Sequence, residues 1–435
     1  MTINVAIVGS GPSGFYTAEA LMKADADVAV DIIERLPAPH GLIRYGVAPD
    51  HQTTKNVSRA FDKTAAREQV HFFGNVDIGT DLSLDQLREL YDAVVLAIGM
   101  PHDNKLGIPG EDKKGVIGSA YFVGWYNGHP DFMELDPPLD SKNVCVIGNG
   151  NVAIDIARVL VKTREEMATS DIADLALDAI QASPITDVYM LGRRGPVEAK
   201  FTNVELREMG KLENCVPVVD PAILPDGVPD DMEMSDRDRR LRERNLESLR
   251  EFSQRKPDEL PKRVHFQFYA SPVEILGGDR VEAIKMERTE VVDGRARGTG
   301  EFFEIETGLV LPAIGYRSLG IEGVEFDARS GTVVNDDGRV AEGLYAAGWI
   351  KRGPTGVIGT NRPDGQAVAQ YILEDFKDGT KPGREGLREL LQKNGGRTVT
   401  YDEWQKIDEH ERANAGPEAP RRKLVTVEDM LGVLA

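Results

Sequence analysis

The 435-residue sequence predicts an α/β protein of two domains, the second inserted within the first. Three features carry that reading. Val5-Ala6-Ile7-Val8 runs into Gly9-Ser10-Gly11-Pro12-Ser13-Gly14 and then a helical stretch, Phe15 to Ala24. A second unit repeats the plan: Asn143-Val144-Cys145-Val146-Ile147, then Gly148-Asn149-Gly150-Asn151-Val152-Ala153, then the helical Ile154 to Lys162. Two apolar runs, Ala93 to Ile98 and Leu309 to Ile314, each end in glycine and read as buried strands where the chain passes between domains. The expected division is residues 1–106 with 318–435 for the outer domain and 107–317 for the inner one.

The first unit has the context a dinucleotide turn needs. At a G-x-G-x-x-G turn a side chain would block a pyrophosphate, and glycine lets backbone N–H groups and the helix N-terminus face the anion. Gly9, Gly11 and Gly14 sit between an apolar run and a helix, and the next strand-like run, Val28 to Ile33, delivers Glu34 where a ribose-binding acid belongs. The plainer alternative is that Glu34 only caps its strand. In the second unit the strand Asp187 to Leu191 ends in Gly192-Arg193-Arg194, with no carboxylate. Paired guanidiniums bind a 2′-phosphate that an acid would repel, which is the pattern of NADP rather than NAD. The alternative is two solvated loop arginines. The stretch from Gly150 to Arg193 exceeds the usual spacing of about 20 residues, so residues 163–183 are read as an inserted helical pair. The architecture is therefore two Rossmann-like domains, and the natural cofactor pairing is FAD with NADP(H).

Composition narrows the function classes. Hydrophobic residues make up 41% and charged residues 29%, the balance of a globular protein. A net charge of −20 argues against nucleic acid and anionic membranes as partners. No apolar stretch is long enough to span a bilayer, and the first strand begins so near Met1 that no leader peptide is expected. Cys145 and Cys215 form no paired motif, which fits a cytoplasmic setting and offers neither a metal site nor a disulfide. A dithiol reductase needs a cysteine pair near the flavin, so that class falls. Electrons must then leave the flavin for a small molecule or another protein, and a one-electron carrier suits flavin chemistry.

Three long runs carry a resemblance. Gly41-Leu42-Ile43-Arg44-Tyr45-Gly46-Val47-Ala48-Pro49-Asp50-His51, Gly192-Arg193-Arg194-Gly195-Pro196, and the stretch from Gly348-Trp349-Ile350 through Gly356-Val357-Ile358-Gly359-Thr360-Asn361 closely resemble the adrenodoxin-reductase type of ferredoxin–NADP reductase. The likeness extends over nearly the whole chain. It implies FAD contacts at Ser13, Glu34, Leu42, Gly46, Trp349, Gly356, Val357 and Ile358. It implies NADP contacts at Asn149, Gly150, Asn151, Val152, Arg193, Arg194 and Glu205, with Gly356 near both cofactors. His51 and Glu208 match positions near the nicotinamide–flavin junction, where a proton relay is expected. His40 departs from the pattern, since the family has an aromatic residue before Gly-Leu. The end after Asn414 is little supported by the likeness.

Several of these positions have plainer readings. His51 could simply order its Pro-Asp-His turn, because hydride transfer needs no protein base. Glu205 and Glu208, at i and i+3 on a helical run, could be solvated. Trp349 could be plain core. On the helical stretch 235–256, Arg237, Arg240 and Arg244 share a face and offer a landing site for an acidic iron–sulfur protein, or else pair with the interleaved acids. His71, His102 and His129 show no ligand spacing. The expected activity is hydride transfer between NADP(H) and FAD, then single-electron exchange with a ferredoxin-like partner. Alternatives are an NADPH diaphorase reducing small oxidants and a non-catalytic FAD redox sensor. An electron-input subunit such as that of glutamate synthase would carry cysteine-rich segments, which the sequence lacks.

Overall fold

A computed structural model describes residues 1–24, 26–230 and 232–435. The chain forms two compact units, Met1–His102 with Asn127–Met133 and Gly315–Ala435, and Asp103–Tyr126 with Glu134–Ile314. The sequence boundaries, 1–106, 107–317 and 318–435, had left residues 127–133 in the inner unit. In chain order the principal elements of the first part are β1 (Ile3–Val8), α1 (Pro12–Lys23), β2 (Val28–Glu34), β3 (Val70–Gly74) and β4 (Ala93–Leu96). Then follow β5 (Asn143–Ile147), α2 (Asn151–Val161), β6 (Asp187–Leu191), α3 (Asn203–Glu208), β7 (Cys215–Val219), α4 (Asp236–Ser253) and β8 (Lys262–Gln267). An antiparallel trio comes next, β9 (Ala270–Leu276), β10 (Ala283–Val292) and β11 (Arg295–Glu306), before β12 (Leu309–Pro312). The chain ends with β13 (Arg339–Ala341), β14 (Leu344–Ala346), α5 (Asn361–Asp375), α6 (Arg384–Asn394) and α7 (Tyr401–Ala413).

The first unit is built on a six-stranded sheet of order β13-β14-β4-β1-β2-β3, parallel except for the edge strand β13. Its central strands are apolar almost throughout because both faces are covered. Alternation sends Val5, Ile7, Val30 and Ile32 to one core, with Phe15, Leu21, Val368 and Trp404. Ala6, Val8, Ile33 and Leu96 go to the other, with Leu84, Leu87, Leu387 and Leu391. The second unit has a five-stranded parallel sheet of order β12-β5-β6-β8-β7. Among the described residues no helix is long and apolar enough to cross a membrane.

Two local expectations change. The stretch 163–183 holds one helix, Asp174–Ala182, rather than a pair. Thr163 and Glu166 hydrogen-bond each other's backbone N–H groups, at 2.9 and 3.2 Å, and close a turn instead. After the Pro-Asp-His turn the sequence predicts one helix over Lys55 to Lys63, and the chain forms two short pieces instead, Gln52–Lys55 and Ser58–Ala65.

Helix α5 lies on α1 so closely that a Cβ on Gly365 would stand 2.7 Å from the backbone nitrogen of Thr17. Backbone cannot yield as a flexible side chain can. Gly365→Ala should therefore destabilise the protein by about 1–3 kcal/mol, the usual cost of overpacking; a denaturant midpoint equal to wild type would contradict this.

Candidate dinucleotide sites

In the first unit, β1 delivers the chain to Gly9, whose φ of +106° suits only glycine. Gly14 follows within α1, where a Cβ would sit 2.1 Å from the Gly9 carbonyl oxygen. At Gly11, the N-cap, a Cβ would meet nothing within 4 Å, and no side chain caps the helix. The first N–H groups of a 12-residue helix thus open onto free space, a cradle suited to an anion. Glu34 ends the next strand beside this turn. Its carboxylate accepts from the Ser10 N–H at 3.0 Å, the Ser10 hydroxyl at 2.5 Å and the Leu36 N–H at 3.2 Å. It braces the turn, and a carboxylate has about four acceptor sites, so capacity remains for a ligand hydroxyl.

Ser13 is buried and its hydroxyl donates to Asn361 Oδ1 at 3.1 Å, as does Arg352 Nη2 at 3.1 Å. Its placement ties the glycine turn to α5 and to the Gly348–Gly353 segment. Leu42 is exposed and folds over Gly46, where a Cβ would lie 2.6 Å from Leu42 Cδ2. Trp349 is half-buried, stacks on Tyr316 with ring centres 5.7 Å apart, and donates from Nε1 to the Thr355 carbonyl at 3.2 Å. Gly356 and Val357 are exposed and Ile358 half-buried. Leu42, Ile98 and Val357 are thus apolar side chains left open on segments that leave the carboxyl ends of parallel strands, where such sheets take ligands. These features fit an FAD-sized ligand.

The second unit repeats the opening. Gly150 is the uncapped N-cap of α2, and a Cβ there would meet nothing within 4 Å. Asn149 packs against Gly192, whose Cβ would stand 1.7 Å from Asn149 Nδ2, while Asn149 Oδ1 is buried with no protein partner. Asn151 Oδ1 accepts from the Thr202 N–H at 2.8 Å, fixing the start of α3 beside α2, and Val152 follows half-buried in α2's first turn. Arg193 is exposed and Arg194 half-buried, and among the described residues no ion pair is recorded for either guanidinium. Their backbone carbonyls are pinned, by the Thr289 hydroxyl at 2.8 Å and the Tyr269 N–H at 3.1 Å. Glu205 Oε2 is buried without a partner. A buried orphan oxygen costs free energy unless something donates to it; a ribose hydroxyl supplies such a donor, and the two guanidiniums fit a 2′-phosphate.

His51, in the first unit, is the N-cap of the Gln52–Lys55 turn and its N–H donates to Ala48 O at 3.0 Å. Glu208, in the second, faces the fully buried Arg158 at 3.5 Å, and Arg158 also holds Asp155 at 2.8 Å. Sequence reading missed Arg158, although the single cation within the apolar helix Asn151–Val161 was a visible signal. On α4, Arg237, Arg240 and Arg244 are exposed, and no carboxylate pairs with them among the described residues. The interleaved acids do not neutralise them. Both cysteines are buried, and burial pushes each thiol up to about 12, so neither is a thiolate at neutral pH. Among the described residues no cluster suits a metal ion.

Two α/β units with open glycine turns, one closed by an acid and one by arginines, define the pyridine-nucleotide oxidoreductase class. Residues 3–194 match the family model described as pyridine nucleotide-disulphide oxidoreductase. NADPH-ferredoxin reductase FprA of Mycobacterium tuberculosis (strain H37Rv) is 42% identical, over 99% of this chain and 98% of that protein. The mitochondrial NADPH:adrenodoxin oxidoreductase of Homo sapiens is 40% identical, over 100% of this chain and 92% of its own. The solved structure of M. tuberculosis FprA in complex with NADPH superposes with a TM-score of 0.94 at 41% identity, covering 100% and 99% of the two chains. The chain belongs to the adrenodoxin-reductase-type ferredoxin–NADP reductase family.

His129, in the first unit, packs against Tyr45 and Phe132 with tilted rings whose centres are 4.8 Å away in each case. Burial, reinforced by Arg35 and Arg44 and opposed by Asp131, pulls its imidazole down to about 4. A base depressed on folding contributes stability that is present above its unfolded value near 6.5 and lost as pH falls through about 4. Denaturant midpoints measured from pH 7 to pH 4 should fall more steeply for wild type than for His129→Asn; parallel curves would refute it.

Proposed function

We propose that this chain is an FAD-dependent ferredoxin–NADP reductase, exchanging electrons between NADP(H) and a ferredoxin-like iron–sulfur protein. The observation that carries it is the Arg193–Arg194 pair, held at a strand end beside an open glycine turn and with no carboxylate paired to it among the described residues. FAD is assigned to the first unit, Met1–His102 with Asn127–Met133 and Gly315–Ala435, and NADP(H) to the second, Asp103–Tyr126 with Glu134–Ile314. When bound, FAD supplies two-electron exchange with a nicotinamide and one-electron exchange with a carrier.

The chain's own residues bind and orient. Gly11 and Gly14 present backbone N–H groups to the flavin dinucleotide's pyrophosphate, Gly9 makes the turn that aims them while its own N–H stays on the Ile33 carbonyl at 2.8 Å, and Glu34 takes the ribose. Leu42, Gly46, Trp349, Gly356, Val357 and Ile358 supply the contact surface that excludes water. Asn149, Gly150, Asn151 and Val152 cradle the second pyrophosphate, Arg193 and Arg194 clamp the 2′-phosphate, and Glu205 accepts from a hydroxyl. His51 of the first unit and Glu208 of the second are each assigned a proton-transfer role, Arg158 fixing the Glu208 carboxylate. The exposed stripe Arg237, Arg240 and Arg244 answers the problem posed by a net charge of −20, since an acidic partner needs a local basic landing site. A cytoplasmic setting is assigned from the two unpaired cysteines.

Replacing Arg193 and Arg194 together by alanine should lower kcat/KM for NADPH by about 10²-fold, from the loss of charge-assisted hydrogen bonds. The value for NADH should stay nearly unchanged, and stopped-flow bleaching of the yellow protein with each nucleotide measures both. Equal loss with the two nucleotides would refute the phosphate clamp. Charge reversal at Arg240 and Arg244 should slow ferredoxin reduction at low salt by about tenfold or more, with the gap closing as salt screens it. Reduction of a small artificial acceptor should be spared, and a matching loss with that acceptor would remove these arginines from docking.

A further inference from the structure

Arg44, in the middle of the Leu42–Tyr45 turn, is buried with its guanidinium forked onto Glu411 of α7. Nη2 meets Oε1 at 2.5 Å and Nη1 meets Oε2 at 2.9 Å, and Glu411 is fully enclosed. The guanidinium lies 5.0 Å from the ring centre of Trp404, also on α7, and 5.1 Å from that of Tyr45. Burial opposes its charge, but Glu411 and Tyr45 together offset burial and hold it above the ordinary arginine range. Beyond α7 the chain turns back: Leu424 N–H donates to Glu411 Oε1 at 2.9 Å. The buried ammonium of Lys423 donates to the Arg44 carbonyl at 3.1 Å and to the Asn127 carbonyl at 2.9 Å. Lys55 reaches the same Arg44 carbonyl at 3.4 Å. At the loop's other end, His40 adopts φ +84° and contacts Asp62 at 3.1 Å, where Tyr401 of α7 donates its hydroxyl at 2.5 Å.

Burying this much charge is a poor way to gain stability. Apolar residues of similar volume serve as well or better, because desolvation offsets the Coulomb attraction. What the fork and the two ammoniums do provide is geometry. They fix the direction of the Arg44 side chain and of its carbonyl, and so the shape of the turn between Leu42 and Gly46. We propose that Glu411 and Lys423, from the C-terminal segment, are positioning residues that hold the Leu42–Gly46 turn in the form that receives the flavin. The inference rests on the reading of Leu42 and Gly46 as FAD contacts.

The test uses the full-length wild type with Glu411→Gln, Glu411→Asp and Lys423→Met. Each is stripped of flavin and titrated with FAD, its bound flavin spectrum recorded, and its apoprotein melted. Glu411→Gln should weaken FAD binding by about tenfold or more and shift the visible flavin bands. Glu411→Asp should recover part of both, and Lys423→Met should act in the same direction. FAD affinity within about twofold of wild type and unshifted bands in both Glu411→Gln and Lys423→Met would overturn the proposal, leaving the cluster only a fold-stabilising role. Should Glu411→Gln fail to fold, Lys423→Met decides by the same two readouts. A wild type that neither carries nor binds FAD would sink the flavin reading itself, and the positioning role with it.

Discussion

Gly14 and the carbonyl of Gly9 leave no room for a methyl group between them, and that close approach sets the angle at which β1 hands the chain to α1. The angle brings bare N–H groups to face outward at Gly11. Other contacts are arranged around it. Glu34 braces the turn through Ser10, and Ser13 secures the first turn of α1 to Asn361, which Arg352 also holds. Gly348 must lack a side chain too, because a Cβ there would fall 1.8 Å from Ser13 Oγ. One missing substituent at each of a few positions thus lets three separate segments converge on a single helix end.

The same solution appears in the second unit with opposite charge at the decisive place. Glu34 ends β2 beside the first glycine turn, and Arg193 with Arg194 follow β6 beside the second, on topologically equivalent strand ends. A carboxylate accepts from free ribose hydroxyls, whereas guanidiniums need an anion. The buried orphan oxygens of Asn149 and Glu205 lie in this second unit, where protein groups leave acceptors for a ligand to satisfy. The family model's name speaks of disulphides, yet both thiols here are sealed in strands β5 and β7 of the second unit. Neither thiol is placed for disulphide exchange with a partner.

Much of this was written locally. The glycine turns, the acid after β2 and the arginines after β6 follow from neighbours in sequence, because strand, turn and helix each have short-range signals. The inserted unit was equally visible, from two apolar runs ending in glycine. Where local polar groups compete with the helix, reading failed: Thr163 and Glu166 satisfy each other, and the expected second helix does not form. The partners of the arginines on α4 were likewise undecidable, since interleaved acids on a helix can pair or point away.

The sequence alone determined the kinds of ligand, since charge and the absence of side chains act at the residue that carries them. Only the tertiary structure decided what grips the Leu42–Tyr45 turn. Arg44 and Glu411 stand 367 positions apart, and Lys423 reaches the Arg44 carbonyl across 379. No periodicity or spacing links such residues, because a buried charge finds its partner through the packing of helices against one sheet, and that packing exists only once the whole unit has folded.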